Sequence, residues 1–445
     1  MIMKPIVNTP FGAIRGIEQE SVYLFYGLRY AKPLTPQSSF SKAKPVEPWE
    51  GVYDATSLPD NPIQSAANIG LKHIDHDCLF LNIAVPKGVS NAPVMVWIHG
   101  GSYSHGGVGK NNDDVNRPEY RLDRLCKATG CVIVAINYRL NVYGFLNLSF
   151  LGKGFDINNG LTDQLLALKF LQQIIPSFGG DKDNITLFGQ SAGAACVLAH
   201  MARKESHPYF HKAISMSACV EHFFSPQESE VLGRRFLKMA HIRPEQSEKL
   251  LSTPKEKLIR LADRLERSTY LHHELRCAYS PTLDESFEGK DPLHFLQGCS
   301  KPLLIGHVAD EARLFVYNIP KIVIPLVAPW IRIKPEKEGG SYLERSAKAV
   351  TKHIYIRPVD ELISHAEGQC FRYRFDFATE YGKRTGLGAF HVSDVPILFG
   401  MDWFCQESKL EEIFEKYAQI FAEFAKTGNP GIPEYRSPSD LFILK

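Results

Sequence analysis

The 445-residue chain has 44% hydrophobic and 22% charged residues, which is the composition of an ordinary globular protein. Its formal net charge is +2, and no long block of Lys and Arg or of Asp and Glu occurs in it. These features argue against nucleic acid or an anionic membrane as the main partner.

The N-terminus and the cysteines predict the compartment. Residues 1–10 lack the charged start, apolar stretch and small-residue cleavage site of a secretory signal. The most apolar later stretch, Ile322–Ile331, is too short to cross a bilayer and contains two prolines. The nine cysteines show no paired spacing, and no His or Cys cluster near Cys126 and Cys131 completes a zinc site. We therefore expect a cytoplasmic protein with free thiols rather than a disulfide framework.

Apolar runs mark the predicted strands. The first hundred residues contain short β-like runs, which end with Val94–Ile98. Further runs follow at Val132–Ile136, Ile185–Phe188 and Leu303–Ile305. Runs that are apolar throughout are typical of strands covered on both faces.

A helical pattern lies between the second and third of these later runs. It extends from about Leu161 to Ile175, and Pro176 and Gly179 predict its end. Strands that alternate with helices predict an α/β fold with a mostly parallel central sheet and helices on both faces.

The last third of the chain continues this pattern. Phe371–Phe375 alternates apolar and basic residues, which predicts a strand with one wetter face. The amphipathic stripe from Leu410 to Phe424 predicts a helix packed on the sheet. Because no linker separates two cores, we expect one domain over residues 1–445, with cap insertions at about 221–300 and 314–365.

The sequence Gly189-Gln190-Ser191-Ala192-Gly193 links a predicted strand to a predicted helix made of small residues. A tight strand-to-helix turn needs small neighbours and exposes the serine hydroxyl above the sheet. The helix N-terminus also favours a developing anion. Taken alone, this pattern also fits a turn with no catalytic role.

A second motif, His99-Gly100-Gly101-Ser102-Tyr103, directly follows the strand that ends at Ile98. Acyl transfer needs backbone N–H donors that face the tetrahedral oxyanion, and small residues permit this close approach. In esterases such a loop acts with the N–H after the nucleophile, which predicts Gly101, Ser102 and Ala192 as the donors.

With these two motifs, nearly the whole chain resembles the type-B carboxylesterase and cholinesterase family, and this resemblance implies the α/β-hydrolase fold. The matching stretches occur in the family's order along the chain. They are 9–16, 49–56, 77–82, 137–140, 178–181, 187–193 and 427–430.

The resemblance also implies the other members of a catalytic triad. In the family a glutamate follows a strand in an Asp-Glu-Gly context, and here Asp310-Glu311-Ala312 occupies that place. Glu311 is therefore the implied acid and Asp310 the competing candidate. The family's Gly-Ala-x-His motif matches residues 388–391, which makes His391 the base. Ser191, Glu311 and His391 follow the chain order expected of this fold.

These residues predict a serine carboxylesterase that forms an acyl-enzyme on Ser191. His391 takes the serine proton, Glu311 orients the imidazole, and no metal or cofactor is required. The predicted partner is a small-molecule ester, with no nucleic acid or membrane, and either a monomer or a dimer fits the sequence. The alternatives are a non-catalytic adhesion or scaffold protein of the same family and a hydrolase of amide, carbamate or thioester bonds.

Departures from the family pattern concern the substrate. Gln190 stands where the family usually has glutamate, and no tryptophan lies between Asp54 and Asp77, where cholinesterases bind choline. A quaternary ammonium therefore has little to hold it, which favours small to medium neutral esters. Ser102 replaces the usual third glycine of the loop. We expect Gln190, Tyr103, Leu326 and Trp330 to line the substrate pocket, although the last two also fit a packed cap loop.

Overall fold

The computed structural model describes residues 5–65, 72–111, 118–272, 276–317, 333–401 and 409–445, except for the side chains of residues 270–272. The fifteen strands of the described residues are β1 (Ile6–Thr9), β2 (Gly12–Arg15), β3 (Ile17–Glu18), β4 (Val22–Arg29), β5 (Val52–Asp54), β6 (Asn61–Pro62), β7 (Ile74–Asp75), β8 (Phe80–Pro86), β9 (Ala92–Ile98), β10 (Val132–Ile136), β11 (Gly180–Gln190), β12 (Lys212–Met216), β13 (Leu303–Val308), β14 (Cys370–Phe375) and β15 (Phe442–Leu444). At the centre of the structure, ten of them form one sheet in the order β15-β14-β13-β12-β11-β9-β10-β8-β4-β3.

Most of the large sheet is parallel. From β10 through β9 and on to β15 every neighbouring pair runs parallel, whereas β8, β4 and β3 are joined by antiparallel pairs. Two small sheets, β1-β2-β5 and β6-β7, lie outside it. The predicted α/β-hydrolase architecture with a mostly parallel sheet is confirmed.

Helices cover both faces of this sheet. Over the described residues the α-helices are α1 (Leu122–Thr129), α2 (Asn141–Gly144), α3 (Asn159–Ile174), α4 (Ala192–Met201), α5 (Pro226–Ala240), α6 (Glu248–Ser252), α7 (Lys255–His272), α8 (Arg313–Val316), α9 (Tyr342–Thr351), α10 (Arg357–Ser364), α11 (Glu380–Thr385), α12 (Asp394–Phe399) and α13 (Leu410–Thr427). None of the helices in these ranges is long and apolar enough to cross a membrane.

Two hydrophobic cores explain why the central strands are apolar throughout. In β9, Val94, Val96 and Ile98 pack into one core. The alternate residues Met95 and Trp97 pack into the other core, on the opposite face. Because successive strand side chains point to opposite faces, a strand covered on both sides is apolar at most of its positions.

The two long predicted helices have nearly the expected bounds. Helix α3 ends at Ile174, and a 3₁₀ turn over Ile175–Phe178 leads to Gly179, whose φ of 74° is left-handed. Helix α13 runs from Leu410 to Thr427 and buries the predicted stripe against the sheet. Gly428, with φ of 81°, ends it.

The expected wetter face of β14 is present only at Arg374, whose side chain is 34% exposed. Arg372, on the same face, is only 2% exposed, because Asp360 of helix α10 and Tyr435 contact it. Its guanidinium forms an ion pair with Asp360 and donates to Tyr435 Oη at 2.9 Å. A buried arginine with such partners is indistinguishable from an exposed one in the sequence pattern.

Candidate active site

Ser191 lies in the turn between β11 and α4, above the carboxyl end of the parallel sheet. Its φ of 56° and ψ of −122° are strained for a residue with a side chain. The turn is tight enough that its glycines are required. A Cβ on Gly193 would overlap the carbonyl oxygen of Ile98, and one on Gly189 would lie 2.7 Å from the Gly193 carbonyl group. The Ser191 N–H donates to Met216 O at 2.8 Å, which fixes the turn to β12.

Glu311 follows β13 and His391 comes after β14, and the His391 imidazole contacts both Glu311 and Ser191. The distance from His391 Nε2 to Ser191 Oγ is 2.9 Å, and that from His391 Nδ1 to Glu311 Oε2 is 2.5 Å. The second Glu311 oxygen accepts from the Val308 N–H at 2.9 Å. The Glu311 and His391 side chains are 0% and 4% exposed, so water does not compete for these contacts.

Asp310, the competing acid, lies elsewhere. Its carboxylate pairs with Arg313 at 3.0 Å and accepts from the Ala389 N–H at 3.1 Å. Burial raises its pKa. These contacts hold the segment before His391 against the end of β13, and the carboxylate that contacts the imidazole is that of Glu311.

The loop after β9 approaches Ser191 with its backbone. Gly101 has φ of 108° and Ser102 φ of 53°, and the Gly101 carbonyl accepts from the N–H groups of Ser104 and His105, both at 3.0 Å. Within the described part of the chain, the N–H groups of Gly101, Ser102 and Ala192 donate to no protein acceptor. Three unused amide donors beside a serine hydroxyl can donate hydrogen bonds to a negatively charged oxygen.

A cavity opens over Ser191, with about 610 Å³ of space including the part open to solvent. Its described lining is uncharged. It consists of Ser102, Tyr103, Ser191, Ala192, Ala195, Cys219, His222, Cys277, Phe315, Val350, Ile354 and Tyr355. Burial lowers the pKa of His222 to about 4 and raises that of Cys219 to about 12, which leaves both groups neutral near pH 7.

Most of the lining comes from the segments between β12 and β13 and between β13 and β14. Ile354 and Tyr355 belong to a π-helical turn, Lys352–Ile356, between α9 and α10. Pro358 follows it, and a proline at this position cannot donate to the Ile354 carbonyl as an α-helix requires. The helix therefore widens here, beside the cavity, and the Tyr355 ring lies 5.5 Å from that of His391.

The predicted pocket residues have different positions. Tyr103 lines the cavity, and Leu326 and Trp330 lie outside the described residues. Gln190 does not belong to the described lining, and its Nε2 instead lies 3.3 Å from His391 Nε2. The lining residues Cys219, His222, Phe315 and Tyr355 were not predicted, because no local motif indicates which residues between the strands fold over the serine.

A second buried carboxyl group lies near the histidine. Asp394 accepts from Tyr417 Oη at 3.1 Å, and Tyr417 Oη lies 2.9 Å from Tyr373 Oη. Burial and the charge of Glu311 raise the pKa of Asp394 to about 6. Among the residues with described positions, no group of three His, Cys, Asp or Glu side chains is arranged to hold a metal ion.

Comparison with known families gives a match to the model of the carboxylesterase family over residues 3–326 and 327–439. A para-nitrobenzyl esterase of Bacillus subtilis (strain 168) is 31% identical over 467 residues, which cover 98% of this chain and 92% of that protein. A pyrethroid hydrolase of Rattus norvegicus is 32% identical over 497 residues, which cover 96% of this chain and 83% of that protein.

Solved structures of esterases also superpose on this chain over nearly its whole length. A thermophilic PNB esterase superposes with a TM-score of 0.84 at 28% identity, over 99% of this chain and 96% of that one. A carboxylesterase of Geobacillus stearothermophilus superposes with a TM-score of 0.82 at 28% identity, over 97% of this chain and 92% of that one.

Proposed function

The chain belongs to the carboxylesterase family and is a carboxylic ester hydrolase, and we propose that it cleaves small to medium neutral esters through an acyl-enzyme on Ser191. The observation that carries this proposal is the hydrogen-bonded series from Ser191 Oγ through His391 to Glu311. The Ser191 end of this series lines an uncharged cavity and lies beside three unused amide donors.

In the first half of the reaction Ser191 Oγ attacks the ester carbonyl carbon, and its proton passes to His391 Nε2. Glu311 holds the imidazole by Nδ1 and stabilises the imidazolium that forms. The carbonyl oxygen becomes an oxyanion that accepts from the N–H groups of Gly101, Ser102 and Ala192. The imidazolium returns the proton to the leaving alkoxide oxygen as the carbon–oxygen bond breaks, which leaves the acyl group on Ser191.

In the second half water replaces the alcohol. His391 Nε2 takes one water proton while the water oxygen attacks the acyl carbon, and the same amides donate to the second oxyanion. When this intermediate collapses, the imidazolium returns the proton to Ser191 Oγ and the acid leaves. Every proton taken by the imidazole is thus given back, and Ser191 is restored.

The cavity supports a neutral substrate. None of its described lining residues carries a carboxylate, an ammonium or a guanidinium group. An ester with a permanent charge would lose hydration there without gaining a partner of opposite charge. Phe315, Val350, Ile354 and Tyr355 instead offer apolar and aromatic surface to an acyl or alkyl chain.

The proposed setting is a cytoplasm in which the enzyme meets small-molecule esters. All eight cysteines at described positions are free, which supports a compartment that keeps thiols reduced.

The test is hydrolysis of p-nitrophenyl acetate, butyrate and longer esters by the wild type and by Ser191→Ala. We expect turnover that depends on chain length in the wild type and only background hydrolysis with the variant. A p-nitroanilide of the same acyl group distinguishes ester from amide cleavage. Equal rates for wild type and Ser191→Ala on every ester would overturn the proposal.

A further inference from the structure

Gln190 has no place in the proposed reaction, yet its side chain contacts the proposed base. The residue is 3% exposed, and its amide Nε2 lies 3.3 Å from His391 Nε2. That imidazole nitrogen is also the one that contacts Ser191 Oγ, at 2.9 Å. The amide and the hydroxyl therefore share one nitrogen atom of the histidine.

The space for this amide is provided by Gly100. A Cβ on Gly100 would lie 2.9 Å from Gln190 Oε1 and 3.2 Å from Ser191 Cβ. Gln190 is therefore a buried residue, and its contact with the imidazole does not depend on a mobile surface group.

In the part of the chain that the structure describes, three side chains contact the nitrogen atoms of the His391 ring and two aromatic rings lie near it. Glu311 contacts Nδ1, and Ser191 and Gln190 contact Nε2. The Phe315 ring lies 5.1 Å and the Tyr355 ring 5.5 Å from the imidazole ring, both between centroids. Asp394 acts on His391 through its charge when it is ionised.

The neutrality of Gln190 affects how the imidazole holds a proton. An amide can direct an N–H toward the lone pair of a neutral imidazole, and it can turn its oxygen toward an imidazolium. It therefore supports both states of a group that must alternate between them. A carboxylate at the same place would attract the imidazolium strongly and would hold the Nε2 proton away from Ser191.

We propose that Gln190 is a positioning residue for His391, and that its uncharged amide keeps the enzyme active at lower pH than a glutamate at this position would. The inference rests on the proposed function, because it requires His391 to be the base. Gln190 thereby acts through the histidine and not as part of the substrate-binding surface.

The test compares pH profiles of kcat/KM on p-nitrophenyl acetate, followed by pH-stat titration, for the wild type and two variants. Gln190→Glu is nearly isosteric and adds one negative charge. We expect its acid limb to move to higher pH by about one pH unit or more. At a pH well below the acid-limb midpoints of both proteins, this shift makes kcat/KM of Gln190→Glu about tenfold lower than that of the wild type.

Gln190→Met keeps the length of the side chain without charge or hydrogen bonding. We expect its acid limb to coincide with that of the wild type, with kcat reduced and KM little changed. Gln419→Glu, on the exposed face of helix α13, makes the same charge change far from the site and should leave the profile unaltered. Thermal unfolding confirms that all three variants are folded.

Coincident acid limbs for the wild type and Gln190→Glu would overturn the inference, as would an equal displacement in Gln190→Met. Ser191→Ala in the same assay separates the two proposals. If Ser191→Ala retains full activity, the proposed function fails. If Ser191→Ala is inactive and the acid limb of Gln190→Glu is unmoved, only the role of Gln190 fails.

Discussion

At the scale of single residues, the backbone of Ser191 is held in a conformation that side chains rarely adopt. Its φ of 56° and ψ of −122° place it in a strained region, where a residue costs of order 1–3 kcal/mol. The strain persists because the Ser191 N–H is bonded to Met216 O and the next residue begins a buried helix. As a result the hydroxyl points at His391 before any substrate arrives.

Glu311 and Asp310 are adjacent acids with different partners, which allows a matched test of the proposed triad. We expect Glu311→Gln to lower kcat by about 10⁴-fold, as loss of the acid does in Ser–His–Asp enzymes, because the amide no longer stabilises the imidazolium. Asp310→Asn should lower kcat by about tenfold at most, since Asp310 contacts Arg313 and the Ala389 N–H and not the imidazole. Steady-state kinetics on one p-nitrophenyl ester measures both, and similar losses in the two variants would contradict the assignment.

A single functional residue could be predicted from the sequence when the residues that indicate its role lie next to it in the chain. The Ser191 turn could be predicted from adjacent residues, because a strand, small neighbours and a helix start all lie within a short stretch. Glu311 and His391 are 80 positions apart, and only the resemblance to a family identified them. The contact of Gln190 with His391 depends on a side-chain rotamer, which no pattern of residue types specifies.

At the scale of elements, β9 and helix α4 approach each other so closely that only glycine fits between them. A Cβ on Gly193 would lie only 2.0 Å from the Ile98 carbonyl oxygen, much closer than two such atoms can approach. This approach brings the loop that begins at His99 next to the start of α4. The three unused amides of Gly101, Ser102 and Ala192 depend on it.

Gly193→Ala should therefore destabilise the protein and impair the site together. We expect a loss of about 2 kcal/mol or more in the free energy of unfolding, because backbone must move to admit the methyl group. The activity of the folded fraction should fall as well, because the movement separates the proposed oxyanion donors. Chemical denaturation and kcat measure the two effects.

Gly289→Ala is the matched control for this change. A Cβ on Gly289 has its nearest neighbour, Asp291 O, 3.8 Å away, so the added methyl group meets no obstacle. Equal stability of the two variants would contradict the close-approach explanation.

The elements also show where sequence patterns become insufficient. The central strands were predictable because burial on both faces favours apolar residues at most of their positions. In β14 the same reasoning failed at Arg372, since the ion pair with Asp360 depends on where helix α10 packs. The cavity lining between β12 and β14 was unpredicted for the same reason, because its residues come from distant parts of the chain and meet only in the folded protein.

At the scale of the whole molecule, several histidines are buried without charge. Burial, together with Arg372 and Arg374, lowers the pKa of His307 to about 3, and burial lowers the pKa of His99 to about 4. In the unfolded chain a histidine titrates near 6.5, so at intermediate pH the unfolded state holds a proton that the folded state does not. Stability from these groups is therefore present above about pH 6.5 and is lost as pH falls toward the folded-state value.

Other buried groups oppose this trend. Burial raises the pKa of Asp394 to about 6 and that of Glu266 to about 7, so the folded state binds protons more tightly at these carboxyls than the unfolded state does. Their contribution to the stability of the protein therefore falls as pH rises. Replacing one buried histidine isolates its contribution to stability, because Asp394 and Glu266 are present in both the wild type and the variant.

His307→Asn should reduce the loss of stability on acidification. Between about pH 7 and about pH 5 the wild type should lose about 2 kcal/mol more than this variant, because only the wild type must keep His307 uncharged. His241→Asn changes an exposed histidine at a helix end, in a left-handed conformation that asparagine tolerates, and serves as the control. Chemical denaturation at the two pH values provides the comparison, and equal losses in wild type and His307→Asn would contradict the explanation.

The central claim is that an acyl group is transferred to Ser191, and the most direct measurement is covalent labelling of that residue. The protein is incubated with diethyl p-nitrophenyl phosphate, and the adduct is located by mass spectrometry of its peptides. We expect one diethylphosphoryl group per molecule, on the peptide that contains Ser191, with loss of ester hydrolysis in proportion to labelling. Labelling at another residue, or undiminished hydrolysis in a fully labelled protein, would contradict it.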